Sequence, residues 1–304
     1  MRSLGDLLLS STALGPPRES AAAFREAVRE AAGPHGVVED LEHDGCAKDP
    51  ACLHAVFASP GDPARRATLL FLHGKGGRGA EWRPDAVRAL RLGYNVLVPD
   101  LRGHSPSGGK RITYGFFERE DLELLVAEAT SRFGVDPGRL GVDACSMGTL
   151  VALQFAAEIR SPRALWLQSP FGDLASMAIQ YVHRATGLPR AVVTLPTRLA
   201  VYLLERETSL PLASLDPVAA AGRVTCPTVV VHGDADLLVP IRFAPAVYEA
   251  LKGPKSFWRA PRCGHCHHPD EPQAIRSKEY VARWTAFFSE HNPPAASRSH
   301  RPST

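Results

Sequence analysis

The stretch Arg139-Leu140-Gly141-Val142-Asp143-Ala144-Cys145-Ser146-Met147-Gly148-Thr149-Leu150-Val151-Ala152-Leu153 decides the reading of this chain. A mostly apolar run ends at Cys145, a tight turn follows around Ser146, and an apolar helical pattern begins at once. Strand, turn and helix in immediate succession bring two backbones close together, so small residues are needed on both sides of the turn. Ala144 stands two before Ser146, where glycine is usual, and Gly148 two after. Such a turn lifts the hydroxyl above the sheet. It also aims the N–H of Met147, at the start of the helix, toward negative charge developing on a substrate oxygen. A serine between strand and helix can equally be a plain N-cap. Asp143 places a charge in a strand expected to be buried and requires a partner.

Around this stretch, short apolar runs alternate with helical patterns. Strands are predicted at Cys52–Ala58, Thr68–Leu72, Asn95–Pro99, Leu140–Cys145, Ala164–Leu167, Thr228–Val231 and Lys255–Arg259, with Val37–Leu41 as an added edge. Several are continuous apolar runs, as expected of parallel strands covered on both faces. Helices are predicted at Asp85–Leu92, Asp121–Phe133, Gly148–Ile159, Phe243–Leu251 and Lys278–Ser289. The alternation implies a mostly parallel sheet with helices on both faces. Residues 171–214 lie between two strands and are too long for an ordinary loop. They read as a helical cap inserted at the carboxyl edge of the sheet, where open α/β sheets bind ligands. Residues 1–35 read as an N-terminal extension with a possible helix at Glu19–Ala32, residues 36–290 as the main domain, and residues 291–304 as a disordered tail rich in proline, serine and arginine.

Three further segments fall at strand ends. Leu69-Leu70-Phe71-Leu72-His73-Gly74-Lys75-Gly76-Gly77 closes a strand with a glycine-rich loop, whose main chain at Lys75 is the choice for a second oxyanion donor. A phosphate cradle is the weaker alternative, since the Gly-Lys-Ser/Thr ending is missing. His232-Gly233-Asp234-Ala235-Asp236 offers two carboxylates, one of which could orient an imidazole while the other shapes a turn. Cys263-Gly264-His265-Cys266-His267-His268 offers histidines able to act as base and acid near neutral pH. The order Ser, Asp, His along the chain is that of α/β-hydrolases.

Over residues 36–290 the chain resembles the α/β-hydrolase superfamily. The stretches that carry the resemblance are His73-Gly74, Pro99-Asp100-Leu101-Arg102-Gly103-His104-Ser105, Tyr114-Gly115-Phe116-Phe117-Glu118-Arg119-Glu120-Asp121, Ser146-Met147-Gly148, His232 to Pro240 and Gly264-His265. Within the superfamily it looks most like bacterial serine hydrolases grouped with the S33 and S9 aminopeptidase-like and Bem46-like proteins. The resemblance implies Ser146 as nucleophile, Asp236 rather than Asp234 as acid, and His265 as base. It also implies that Asp100 and Arg102 shape a loop. Ala144 and Asp143 depart from the pattern.

The expected reaction is cleavage of a carboxylic ester or related acyl bond through an acyl-enzyme, without cofactor or metal. A peptidase or amidase is the second reading, and a non-catalytic hydrolase-like binding protein the reading from another class. The partner is then a small acyl substrate or a short peptide. The cap is apolar around Leu199, Val201, Leu203 and Leu204. Leu199 and Leu203 are therefore candidates for contact with an acyl chain, although packing of that face on the domain is the preferred reading.

A net charge of +3 without a basic, aromatic-interleaved run excludes a nucleic-acid interface. No apolar run reaches the length of a membrane span. Asp6 before Leu7-Leu8-Leu9 argues against an export signal, so a cytoplasmic location is expected. Six cysteines in 304 residues are not a disulfide framework. Cys46 and Cys52 could pair in an exported protein, and Cys145 and Cys226 read as inert core residues. Cys263-x-x-Cys266-His267 also fits redox, haem-attachment and zinc patterns. Its place near the chain's end, without export signal or second Cys pair, argues against all three.

Overall fold

The computed structural model describes residues 8–10, 20–266 and 277–295. In chain order the elements are α1 (Ala21–Ala32), β1 (Val37–His43), β2 (Leu53–Ser59), β3 (Thr68–Leu72), α2 (Arg83–Arg91), β4 (Asn95–Asp100), α3 (Glu118–Phe133), β5 (Leu140–Cys145), α4 (Met147–Glu158), β6 (Ala164–Gln168), α5 (Leu174–Thr186), α6 (Arg190–Thr208), α7 (Pro217–Ala221), β7 (Thr228–Gly233), α8 (Ala244–Ala250), β8 (Lys255–Ala260) and α9 (Lys278–His291). The eight strands form one sheet in the order β1-β2-β4-β3-β5-β6-β7-β8. β1 and β2 are antiparallel to their neighbours. From β4 onward all pairs are parallel.

Alternate residues of the central strands feed two separate cores. In β3, Leu70 and Leu72 join the core beneath α3, α4, α7 and α8, which contribute Leu125, Leu150, Ala220 and Val247. Leu69 and Phe71 face the other core, built with Phe24 and Val28 of α1, Leu90 of α2, and Tyr280, Trp284 and Phe288 of α9. Both faces are covered, which is why the parallel strands read as unbroken apolar runs. The period-2 alternation assigns consecutive residues to opposite layers. Inserted between β6 and β7, α5 and α6 stand where the long interruption was expected. Asp173 caps α5 by accepting from the amides of Ala175 (3.0 Å) and Ser176 (2.9 Å).

One expectation at the periphery needs correction. The tail does not begin at residue 291, since α9 continues through His291. Asn292 is buried, Ala67 donates to the carbonyl of Pro294 (2.8 Å), and Ala295 bridges to Arg66. Composition suggested disorder there, but these residues satisfy backbone groups just ahead of β3. Residues 296–304 lie outside the described residues. Near the N-terminus, Leu8 and Leu9 are buried in the first core, and Leu9 accepts from the amide of Ile112 (3.0 Å). No helix among the described residues is long and apolar enough to cross a membrane.

Candidate active site

Ser146 sits between β5 and α4 with φ 52° and ψ −118°. A non-glycine residue at positive φ is uncommon and costs on the order of 1–3 kcal/mol, so the surrounding structure must hold it. Three contacts do so. The Ser146 amide donates to the carbonyl of Gln168 at the end of β6 (2.8 Å). A Cβ on Gly148 would fall 2.4 Å from the carbonyl oxygen of Leu72, so helix and β3 meet only if position 148 is glycine. A Cβ on Gly74 would lie 3.2 Å from Cβ of Ser146, which puts the loop after β3 directly against the serine. Ala144 is fully buried, and its methyl group packs into the first core. The departure from glycine two before the serine is thus accommodated.

Asp143 finds its partners in the opposite layer. Its carboxylate accepts from Gln168 Nε2 (2.7 Å) and from Trp284 Nε1 on α9 (2.8 Å). Gln168 Nε2 also reaches the hydroxyl of Tyr280 (3.0 Å). A buried carboxylate held by two donors is a fixed strut rather than an orphan charge.

The two carboxylates after β7 separate by role. Asp236 Oδ2 lies 2.7 Å from His265 Nδ1, and Oδ1 accepts from the amides of Leu238 (3.0 Å) and Val239 (2.8 Å). Burial by itself would raise this carboxyl. Electrostatic attraction to His265 and its hydrogen bond, with the Val239 amide, outweigh it and hold Asp236 below the usual carboxylate range. Asp234 instead accepts from the amide of Arg262 (2.6 Å) and pairs with Arg259 (3.3 Å). Ala235 donates to the carbonyl of Cys263 (3.0 Å), and a Cβ on Gly233 would strike that carbonyl at 2.2 Å. The acid loop and the base loop are therefore packed as one unit. His232 is fully buried and donates from Nε2 to the carbonyl of Val239 (2.7 Å). Burial lowers its pKa and keeps it neutral.

The glycine loop after β3 is shaped by two neutral histidines. His73 accepts from the amide of Leu101 at Nε2 (2.9 Å), which leaves Nδ1–H to donate to Gly74 (2.8 Å). His104 Nε2 accepts from the amide of Gly76 (3.0 Å), and burial pushes its pKa down to about 3. Arg102, fully buried, pairs in two-pronged fashion with Asp121 (2.6 and 2.8 Å) and reaches Asp49 (2.8 Å). Asp100 accepts from the amide of Gly79 (2.8 Å). The loop-shaping roles implied for Asp100 and Arg102 agree with these bonds. His104 and His232 stood in the stretches that carry the resemblance but were given no role, because a buried histidine that only orders a loop has no spacing of its own.

Lys75 bends its side chain away from this rim, to the carbonyl of Ser10 (2.7 Å) and over the ring of Tyr181 on α5 (4.9 Å). Burial lowers its pKa to about 8. The helical insertion thus rests on the candidate oxyanion loop, and Gln180 fastens it to the acid loop through the carbonyl of Leu237 (2.9 Å). Along α6, Leu204 is buried. Val201 packs against the same core, whereas Leu199 and Leu203 are 54% and 52% exposed, so the packing preferred from the sequence holds for half of that apolar set.

The cysteines depart furthest from expectation. Cys145 is joined by a disulfide to Cys266, with a Cα–Cα separation of 6.2 Å. It is not an inert core residue. Cys46, Cys52 and Cys263 are free, so neither the Cys46–Cys52 pair nor a Cys263–Cys266 redox pair exists. Cys145 Sγ, Cys266 Sγ and a ring nitrogen of His265 all lie within 4.8 Å of one another. The imidazole that holds Asp236 is therefore also beside the turn that carries Ser146. His267 and His268 lie outside the described residues. The link was legible in principle, since Ser146 is preceded, and His265 followed, by cysteine.

An open α/β sheet with a strained serine at the end of a central strand, and an Asp–His pair on the loops beyond, defines a hydrolase-type site. Comparison agrees: the model of the Alpha/beta hydrolase family matches residues 69–277, and the chain belongs to that family. The protein YqkD of Bacillus subtilis is 30% identical over 182 residues, 58% of this chain and 57% of its own length. The lysophosphatidylserine lipase ABHD12 of Danio rerio is 27% identical over 231 residues, 73% of this chain and 56% of its own length. The chain thus spans little more than half the length of these two relatives. Among solved structures, the Pyrococcus furiosus esterase Pf2001 aligns with a TM-score of 0.66 at 21% identity, covering 93% of this chain and 98% of that one. Acetyl xylan esterase 1 from Thermoanaerobacterium aligns at 0.62 and 20%, covering 94% and 97%.

Proposed function

We propose that this protein is a serine hydrolase that cleaves carboxylic esters through an acyl-enzyme on Ser146. The observation that carries the reading is the 2.7 Å bond between Asp236 and His265, with the imidazole beside the strained turn of Ser146. His265 takes the proton of Ser146 Oγ as the oxygen attacks the acyl carbon. Asp236 holds the ring in the tautomer with Nδ1 protonated and Nε2 free to accept. The amides of Met147 and Lys75 receive the oxyanion. Met147 opens α4, where an amide has no acceptor within its own helix. The imidazolium then protonates the leaving alcohol, and water, activated by the same histidine, frees the acid.

An ester is the first substrate class because an alkoxide leaves more readily than an amine. The likeness to aminopeptidase-like enzymes makes an amide the second. A fluorophosphonate probe should label the purified protein at Ser146, and the Ser146→Ala variant should take up none. Equal labelling of both would overturn the assignment. A series of nitrophenyl esters of rising chain length, run beside aminoacyl anilides, ranks the two substrate classes. Failure to turn over or label at all would leave a hydrolase-like binding protein.

A further inference from the structure

The mechanism above uses Ser146, Asp236 and His265 and leaves two neighbours without a task. Cys145 is the residue before the nucleophile, and Cys266 the residue after the base. Their disulfide spans 121 residues of sequence to join those two points. Both cysteines are buried.

Three contacts among the described residues moor the base loop to the acid loop. Ala235 bonds to Cys263, Asp234 to Arg262 and Asp236 to His265. These contacts set the imidazole relative to its carboxylate, and all belong to the β7–β8 side of the sheet. The nucleophile stands at the end of β5, with β6 between it and β7. Across that gap the covalent connection is the disulfide. Both of its ends adjoin or occupy left-handed backbone, φ 52° at Ser146 and φ 47° at Cys266, conformations that persist only when held from outside. Misplacing a catalytic group by about 1 Å can cost on the order of a hundredfold in rate.

We propose that the Cys145–Cys266 disulfide is a positioning link that keeps His265 within proton-transfer reach of Ser146, so that the site works when oxidised and fails when reduced. This rests on the reading of Ser146 and His265 as nucleophile and base. The reductant is a dithiol. One of its thiolates attacks a sulfur of the bond, the S–S bond breaks, and a mixed disulfide forms. The second thiol displaces it. The dithiol leaves as a cyclic disulfide, and Cys145 and Cys266 gain two electrons and two protons as thiols.

The test uses the full chain with 4-nitrophenyl butyrate and the fluorophosphonate probe, before and after treatment with dithiothreitol. A chelator is present throughout, because two freed thiols and the imidazole could capture trace zinc and imitate the loss. Thiol alkylation and mass measurement report the state of the pair, and circular dichroism reports folding at the assay temperature. The expected result is a fall in kcat of at least about tenfold with KM nearly unchanged, in a protein that remains folded, and recovery on reoxidation. The Cys145→Ala/Cys266→Ala variant should match the reduced protein and ignore dithiothreitol. Three results would overturn the proposal: full activity in the folded, reduced protein; absence of the bond from active protein; or unfolding on reduction, which would make the link one of stability alone. If the oxidised protein neither labels nor turns over ester, the hydrolase reading fails instead, and the two failures are distinct.

Discussion

The division of labour between two aspartates two residues apart rests on which atom each can reach. Asp236 meets the imidazole at 2.7 Å and is steadied by two amides, whereas Asp234 meets a backbone amide of the base loop at 2.6 Å. An amide in place of the Asp236 carboxylate can stabilise the wrong imidazole tautomer. Asp236→Asn should therefore cut kcat by roughly four orders of magnitude while the protein stays folded. Asp234→Asn keeps an acceptor oxygen for Arg262 and should lose less than about tenfold. Steady-state kinetics on one ester checks both, and comparable losses would put the acid in doubt. The same residues mark how far the sequence could be read. Ser146, Asp236 and His265 could be picked out as candidates because each follows a strand run in a required order. Asp143 was visible only as a puzzle, since its partners Gln168 and Trp284 lie 25 and 141 residues away and no local pattern points to them.

At the scale of elements, the central strands β3 to β7 were read almost to their ends because both layers bury every one of their positions. The long helix of the insertion was harder. α6 runs from Arg190 to Thr208 and carries Pro196 inside it, a residue that ordinarily ends a helix, so its bounds could not be set from the residue pattern. Its outer face is unusual in another way. Val192, Leu195, Leu199, Tyr202 and Leu203 recur at helical spacing and are all more than half exposed. Exposed apolar side chains stabilise the fold little. Leu199→Ser with Leu203→Ser should shift stability by less than about 0.5 kcal/mol in urea unfolding. If this face meets the acyl chain, the same variant should prefer shorter nitrophenyl esters than the parent. An unchanged chain-length profile would remove both leucines from the substrate path.

At the scale of the whole molecule, the candidate site depends on contacts that cross the sheet. The carboxylate of Asp143 links β5 to α9 through Trp284 and to β6 through Gln168. Gln168 in turn receives the amide of Ser146 (2.8 Å). Asp143→Ala would strand two buried donors. It should cost about 3 kcal/mol of stability, measured by chemical denaturation, with a further loss of turnover in the folded fraction. A cost under about 1 kcal/mol would show that the buried amide and indole find other acceptors. This fastening also sets an order of events during synthesis. Chains fold from the N-terminus as they emerge, and β5 leaves the ribosome well before α9 exists. The serine is therefore translated early but seated late. Until α9 closes over Asp143, the nascent chain carries Ser146 on an unbraced strand, and the competence proposed for that serine arrives with the helix rather than with the residue itself.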